Sequence, residues 1–276
     1  MRQPVVLITG CSSGIGRALA DAFSGAGYEV WATARKAADV EHLAQAGFRA
    51  AALDVTDTAA AQRLALHISE QSGGLDVLIN NAGYGAMGPL LDGGADGMRQ
   101  QFETNVFAIA GLSQACFDLL RARRGLVVNI GSVSAVLVTP FAGAYCASKA
   151  AVHAMSQAMR MELAPFGIEV MEVQPGAIAS NFGASAGAQA DALINEHSPW
   201  WPLREGIRAR ARASQDKPTP ASEFAEQLLN AVQRSKRPRL LRLGNGSRTL
   251  PLMARLLPNG LLSRVLSRRF GLDVSL

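Results

Sequence analysis

The feature that most constrains this chain is the regular alternation of short apolar runs with longer stretches of helical period. Val5-Val6-Leu7-Ile8 is a continuous apolar run that stops at Thr9-Gly10. From residue 15 to 26 the apolar positions Ile15, Ala18, Leu19, Ala22 and Phe23 fall at helical spacing, followed by Gly25 and Gly27. The first pattern suits a strand buried on both faces, the second a helix ended by glycine. The alternation continues with strands expected at 28–34, 48–53, 75–79, 126–130, 168–173 and 239–243, and helices at 37–46, 58–72, 95–120, 144–163 and 222–233. Strands separated by helices require right-handed crossovers, which give a parallel sheet. The expected fold class is therefore α/β: a Rossmann-like, doubly wound parallel sheet of about seven strands with helices on both faces and a C-terminal helical extension.

One domain, residues 1–276, accounts for the whole length. Two segments depart from the alternation. Residues 181–218, rich in Ala, Gly and Ser, stand where a strand would lead into its next helix and read as a substrate-binding loop or lid, with Trp200 and Trp201 capping a cleft. Residues 244–276 form an extension of two leucine-rich pieces separated by Pro258-Asn259-Gly260.

Composition excludes several classes. Hydrophobic residues make up 49% and charged residues 18%, too apolar for disorder. The most apolar stretch, 250–266, is interrupted by Arg255, Pro258, Asn259 and Arg264, so no membrane span is expected. Met1-Arg2-Gln3-Pro4 leads directly into the first strand without a cleavage pattern, which points to the cytoplasm. Cys11, Cys116 and Cys146 are odd in number and lack ligand spacing; His42, His67, His153 and His197 are scattered. Reduced thiols and no metal are the expectation. The net charge of +5 is uneven, because residues 234–276 hold ten Lys/Arg against Asp273 alone.

Two groups of residues carry chemistry. Thr9-Gly10-Cys11-Ser12-Ser13-Gly14-Ile15-Gly16 lies between the first strand and the first helix, where a doubly wound sheet binds a dinucleotide. Its glycines permit a tight turn, close approach to a pyrophosphate and close packing, while the helix N-terminus supplies amide donors. Tyr145 and Lys149 are four residues apart on one helical face. An ammonium beside a phenol favours the phenolate, so the pair can exchange a proton with an alcohol or a carbonyl.

The spacing of Gly10, Gly14 and Gly16 matches a TGxxxGxG pattern, and together with Tyr145 and Lys149 it resembles the short-chain dehydrogenase/reductase family, in particular single-domain, NADP-preferring members of the hydroxysteroid and retinol dehydrogenase type. The resemblance implies roles for further residues. Asn105, Ser132, Tyr145 and Lys149 would form the catalytic set, with Ser132 holding the substrate oxygen and Asn105 a water of the proton relay. Asp54 and Val55 would meet the adenine. Asn80-Asn81-Ala82-Gly83 matches the turn beside the cofactor, Pro175-Gly176 and Ile178 would lie beneath the nicotinamide, and Ser180 would contact its carboxamide. Tyr145 and Lys149 would also touch the cofactor. Ser134 is close enough to Ser132 that spacing alone does not separate them.

The end of the second strand addresses the choice of cofactor. Thr33-Ala34-Arg35-Lys36 has no acid until Asp39, whereas an NAD site places Asp or Glu there. Arg35, with Lys36 and Thr33 assisting, fits a 2′-phosphate, so NADP is expected over NAD.

The function expected is hydride transfer between NADP(H) and a hydroxyl or carbonyl of a mostly apolar, steroid-, retinoid- or fatty-type substrate, with Tyr145 as general acid and base. Two rivals stay open: a catalytically silent nucleotide-binding regulatory protein, and a peripheral membrane-binding protein. The leucines and arginines of the tail either make weak contact with an anionic membrane surface or pack on the acidic body or across subunits. No aromatic platform accompanies the arginines, so nucleic acid is not an expected partner. The resemblance implies a homodimer or homotetramer through the long helices.

Overall fold

The computed structural model describes residues 2–275; Met1 and Leu276, included in the single domain expected from the sequence, lie outside the described residues. Strands β1 (Val5–Ile8), β2 (Glu29–Ala34), β3 (Arg49–Ala52), β4 (Val77–Asn80), β5 (Leu126–Ile130), β6 (Glu169–Pro175) and β7 (Leu240–Leu243) form one sheet in the order β3-β2-β1-β4-β5-β6-β7. All pairings are parallel. The order reverses between β1 and β4, which opens a crevice at their C-terminal ends.

The helices are α1 (Gly14–Gly25), α2 (Ala37–Gln45), α3 (Thr58–Ser72), α4 (Leu90–Phe102), α5 (Ala108–Ala115), α6 (Phe117–Arg123), α7 (Gly143–Leu163), α8 (Phe182–Leu193), α9 (Arg204–Arg212), α10 (Ala221–Val232), α11 (Thr249–Leu256) and α12 (Asn259–Arg269). Strand pleating sorts the core into two layers. Val6 and Ile8 of β1 face α1, α2 and α10, where Phe23, Leu43, Phe224 and Leu228 are buried. Val5 and Leu7 face α3, α5 and α6, where Leu64, Ile68, Leu112 and Leu119 are buried. Because both faces are covered, β1 and β4 have no exposed residue, as their unbroken apolar runs require.

Three sequence expectations need correction. The single helix expected at 95–120 is four pieces: α4 is kinked at Gly94 (φ 53°, ψ −152°), Glu103–Phe107 is a π-turn, and α5 and α6 meet at Cys116. The apolar period continues across these breaks, so the pattern alone conceals them.

Second, the 181–218 segment is not an open loop. It contains α8, the short 3₁₀ turn Trp201–Leu203 and α9. These build a third core with the tail, in which Phe141, Ala186, Ala190, Leu203, Ile207 and Phe270 are buried. Contact there is close enough that a Cβ at Gly206 would meet the Phe270 carbonyl oxygen at 2.0 Å. Trp200 and Trp201 pack against this core, and neither lines the cleft.

Third, the tail packs on the body with only part of its apolar surface. Pro251 and Phe270 are buried and Leu266 packs on the third core, whereas Leu252, Met253, Leu256, Leu261 and Val265 are exposed. No helix among the described residues is long and apolar enough to cross a membrane.

Candidate active site

A cleft of about 970 Å³ runs along the C-terminal edge of the sheet, from the β1–α1 loop to the third core. At one end, the turn is drawn tight: Gly10 (φ 73°) and Gly14 (φ 56°) take backbone conformations that side chains disfavour. A Cβ at Gly16 would meet the Gly10 carbonyl oxygen at 2.1 Å. Ser13 precedes α1 without a side-chain cap on its first amides, which leaves those donors to the cleft. The loop is tied across the switch point to β4. Thr9 Oγ1 accepts the amides of Asn81 (3.0 Å) and Ala82 (2.9 Å), and Asn81 Nδ2 donates to the carbonyls of Thr9 (2.7 Å) and Gly10 (3.2 Å).

These features fit a dinucleotide. Ser12, Ser13, Gly14, Ile15 and Gly16 line the phosphate end; Arg35, Asp54 and Val55 line the flank; Asn81, Ala82, Gly83, Pro175, Gly176, Ile178 and Ser180 line the middle. Asp54 is fixed by the amide and hydroxyl of Thr56, hydrogen bonds that hold its carboxyl below the usual range. Arg35 is exposed and pairs with no carboxylate among the described residues. Three residues expected at the cofactor, Thr9, Thr33 and Lys36, do not line the cleft. Thr9 Oγ1 is engaged by the Asn81 turn, and Lys36 is exposed just before α2. Thr33 is buried, with its hydroxyl unpartnered.

The catalytic candidates converge in the middle of the cleft. Ser132, Tyr145 and Lys149 all line it and are all buried. Ser132 Oγ accepts the Ser134 amide at 3.1 Å, so its own proton is free to donate outward. Of the two serines, Ser132 is the one whose hydroxyl favours the Tyr145 phenolate. Lys149 Nζ donates to the Ile130 carbonyl at 2.8 Å. Asn105 stands behind these three, in the π-turn. Its Oδ1 accepts the Tyr84 amide, and its Nδ2 donates to Tyr84 O (3.0 Å) and Ser148 Oγ (3.1 Å), while Ser148 Oγ donates to Tyr145 O (2.7 Å). Asn105 thus ties the Tyr84 loop to the helix that carries Tyr145.

Electrostatics sharpen the picture. Burial pushes the Tyr145 phenol up, and the Ser132 hydroxyl and the charge of Arg210 pull it back. Burial pushes Lys149 down to about 8, partly opposed by Glu172. A cation that acts on the phenol beside Lys149, whose Nζ lies 5.9 Å from the Tyr145 ring centroid, is Arg210, a residue the sequence does not single out. An arginine in Arg-Ala-Arg-Ala-Arg reads as surface, although Ile207 and Ala211 at i−3 and i+1 mark its side of α9 as buried. The sequence also missed Phe182, whose ring lies 5.5 Å from that of Tyr145. His153, taken as scattered, pairs with the buried Glu172 at 2.6 Å. The thiols of Cys11 and Cys116 are pushed up to about 12 by burial, which makes them inert.

Comparison with known proteins agrees with this geometry. The family described as short chain dehydrogenase matches residues 4–191. A short-chain dehydrogenase/reductase of Pestalotiopsis microspora is 32% identical over 275 residues, 99% of this chain and 96% of that one. The NADPH-dependent 1-acyldihydroxyacetone phosphate reductase of Schizosaccharomyces pombe is 34% identical over 227 residues, 81% of this chain and 76% of its own. The crystal structure of a short-chain dehydrogenase from Streptomyces avermitilis superposes with a TM-score of 0.79 at 32% identity, covering 97% of this chain and 95% of that one.

Burying Lys149 has a consequence for stability. With a folded value of about 8 against 10.5 in the open chain, the unfolded state binds more protons between those pH values. Stability therefore rises with pH across that window, and the burial cost is fully present below it. In the protein without cofactor, Lys149→Met is expected to raise stability at pH 7 by about 1–2 kcal/mol, after loss of the Ile130 bond, with the gain shrinking towards pH 10.5. Urea unfolding of both proteins at pH 7 and pH 10 checks this; a gain that does not shrink contradicts it.

Proposed function

The chain belongs to the short-chain dehydrogenase/reductase family, and from that premise we propose that it is an NADP(H)-dependent oxidoreductase acting on a carbonyl or hydroxyl of a long-chain, mostly apolar substrate. The observation that carries the reading is the convergence of Ser132, Tyr145 and Lys149 in a cleft that continues into an apolar end lined by Met87, Leu137, Phe182, Leu250, Leu266 and Phe270. The S. pombe relative is named as a reductase of an acyl-bearing ketone ester, which favours fatty-type over steroid- or retinoid-type substrates.

When bound, NADPH supplies a hydride from its nicotinamide ring. The first amides of α1 would hold its pyrophosphate, Asp54 and Val55 would flank its adenine, and Arg35 would take its 2′-phosphate. In reduction, Ser132 donates a hydrogen bond to the substrate oxygen while the Tyr145 hydroxyl transfers its proton to that oxygen. The tyrosinate left behind is favoured by Ser132 and by the Arg210 charge. Oxidation reverses these roles. Lys149, whose Nζ donates to Ile130 O, would bind the nicotinamide ribose, and Asn105 ties the Tyr145 helix to the Tyr84 loop. Phe182, whose ring lies 5.5 Å from that of Tyr145, would shield the reacting carbonyl from water.

A second reading, weak contact with an anionic membrane surface, is favoured by the exposed stripe of Leu252, Met253, Leu256, Leu261 and Val265 beside the exposed Arg255, Arg264 and Arg268. The same two helices supply Leu250 and Leu266 to the cleft, so an apolar substrate would enter from the side that meets the lipid.

Three measurements test these readings. A panel of aliphatic, steroid and retinoid carbonyls is expected to yield NADPH oxidation with at least one member, reduced about 10²–10⁴-fold by Tyr145→Phe with NADPH binding retained; full activity in that variant ends the catalytic assignment. Arg35→Ala is expected to weaken NADPH relative to NADH by about 10–100-fold; an unchanged ratio removes Arg35 from cofactor choice. In flotation with anionic vesicles, the protein is expected to rise with the lipid at low salt and Leu256→Glu to stay behind. Wild-type protein left wholly at the bottom refutes the membrane reading.

A further inference from the structure

Arg210 is the one feature of the cleft that hydride transfer to an apolar carbonyl leaves unexplained. It lies on α9 and is only 7% exposed, yet it lines the cleft. Its Nε donates to Thr139 Oγ1 at 2.5 Å. That bond fixes the plane of the guanidinium and leaves both Nη groups for another partner. No carboxylate among the described residues pairs with it; the ionisable groups that act on it are Tyr145, Cys146 and a second cation, Arg269. Two residues away on the same helix, the more exposed Arg208 holds two carboxylates, Asp191 at 2.7 Å and Glu205 at 2.9 Å. The chain therefore gives counter-charges to a surface arginine and withholds them from the buried one.

An unpaired buried guanidinium is costly, because its charge is removed from water with nothing to compensate it. Such a cost persists where a ligand supplies the missing charge, and a planar pair of Nη donors matches the two oxygens of a carboxylate or phosphate. A tether to Thr139 alone would be served by a neutral amide. Arg269 lines the same cleft from the end of α12, and Phe270 beside it is seated against Gly206 of α9, so the two guanidiniums are held to one wall.

We propose that Arg210, assisted by Arg269 at the rim, binds an anionic oxygen group carried by the substrate near its reacting carbonyl, so that the preferred substrates are apolar chains with a carboxylate or phosphate head. The inference deepens the catalytic reading and rests on it only for which part of the cleft takes substrate.

The test is a binding measurement that needs no turnover. Protein saturated with NADP⁺, so that the Arg35 site is filled, is titrated with octanol, octanoate and octyl phosphate, and with inorganic phosphate alone. Wild-type protein is expected to bind at least one charged amphiphile tenfold or more tightly than octanol, and the tighter of the two identifies the head group. Arg210→Gln is expected to abolish that preference while leaving octanol binding in place, and Arg269→Gln to weaken it about threefold. Equal binding of the three amphiphiles by wild-type protein overturns the proposal even if Arg210→Gln fails to fold, as does a preference that survives in a folded Arg210→Gln. A panel of long-chain carbonyl compounds that carry a carboxylate or phosphate head, without turnover but alongside a clear anion preference, would instead sink the catalytic reading and leave this one standing.

Discussion

The cleft depends on the hydrogen bonds that join the ends of β1 and β4. Parallel strands that diverge into helices on opposite faces leave a gap at the point of reversal, and that gap must be both open and fixed. Thr9 and Asn81 achieve this by exchanging side-chain and backbone bonds across it. Behind them, Asn80 donates to Asn129 and Asn129 to Ser156, a chain of buried amides that satisfies polar groups where the core would otherwise be apolar. The glycine turn can approach a ligand closely because this seam holds it there.

The same logic governs the tyrosine. A phenol removed from water is a weaker acid, so the burial that protects the reaction works against forming tyrosinate. Ser132 and Arg210 act against that cost, while Lys149 sits on a backbone carbonyl with its own ionisation disfavoured. A lysine one helical turn away lies 5.9 Å from the ring, and α9 adds a second cation, Arg210, which the i, i+4 pair alone does not reveal.

How much the sequence revealed follows from the kind of signal each element carries. Strands buried on both faces appear as unbroken apolar runs, and all seven were found within about two residues of their ends. The breaks at Gly94, Glu103–Phe107 and Cys116 were hidden because helical spacing survives a π-turn. Helix α8 looks like loop in the sequence because its run of Ala, Gly and Ser has little apolar contrast; in the fold its small residues Ala186 and Ala190 are buried. The glycine turn, Ser132, Tyr145 and Lys149 were legible from spacing. Arg210, Phe182 and Thr139 were not, since only the third core brings residues about seventy positions apart to one wall.

The contact between Gly206 and Phe270 has a consequence for divergence among relatives. The family match spans residues 4–191 and ends before both residues. Part of the cleft lining, Arg210, Leu266 and Phe270, comes from two later segments joined where no side chain fits between them. Neither segment can be exchanged alone without a clash or a gap, so inherited changes in substrate choice are expected to arrive in α9 and the last helix together, as paired substitutions.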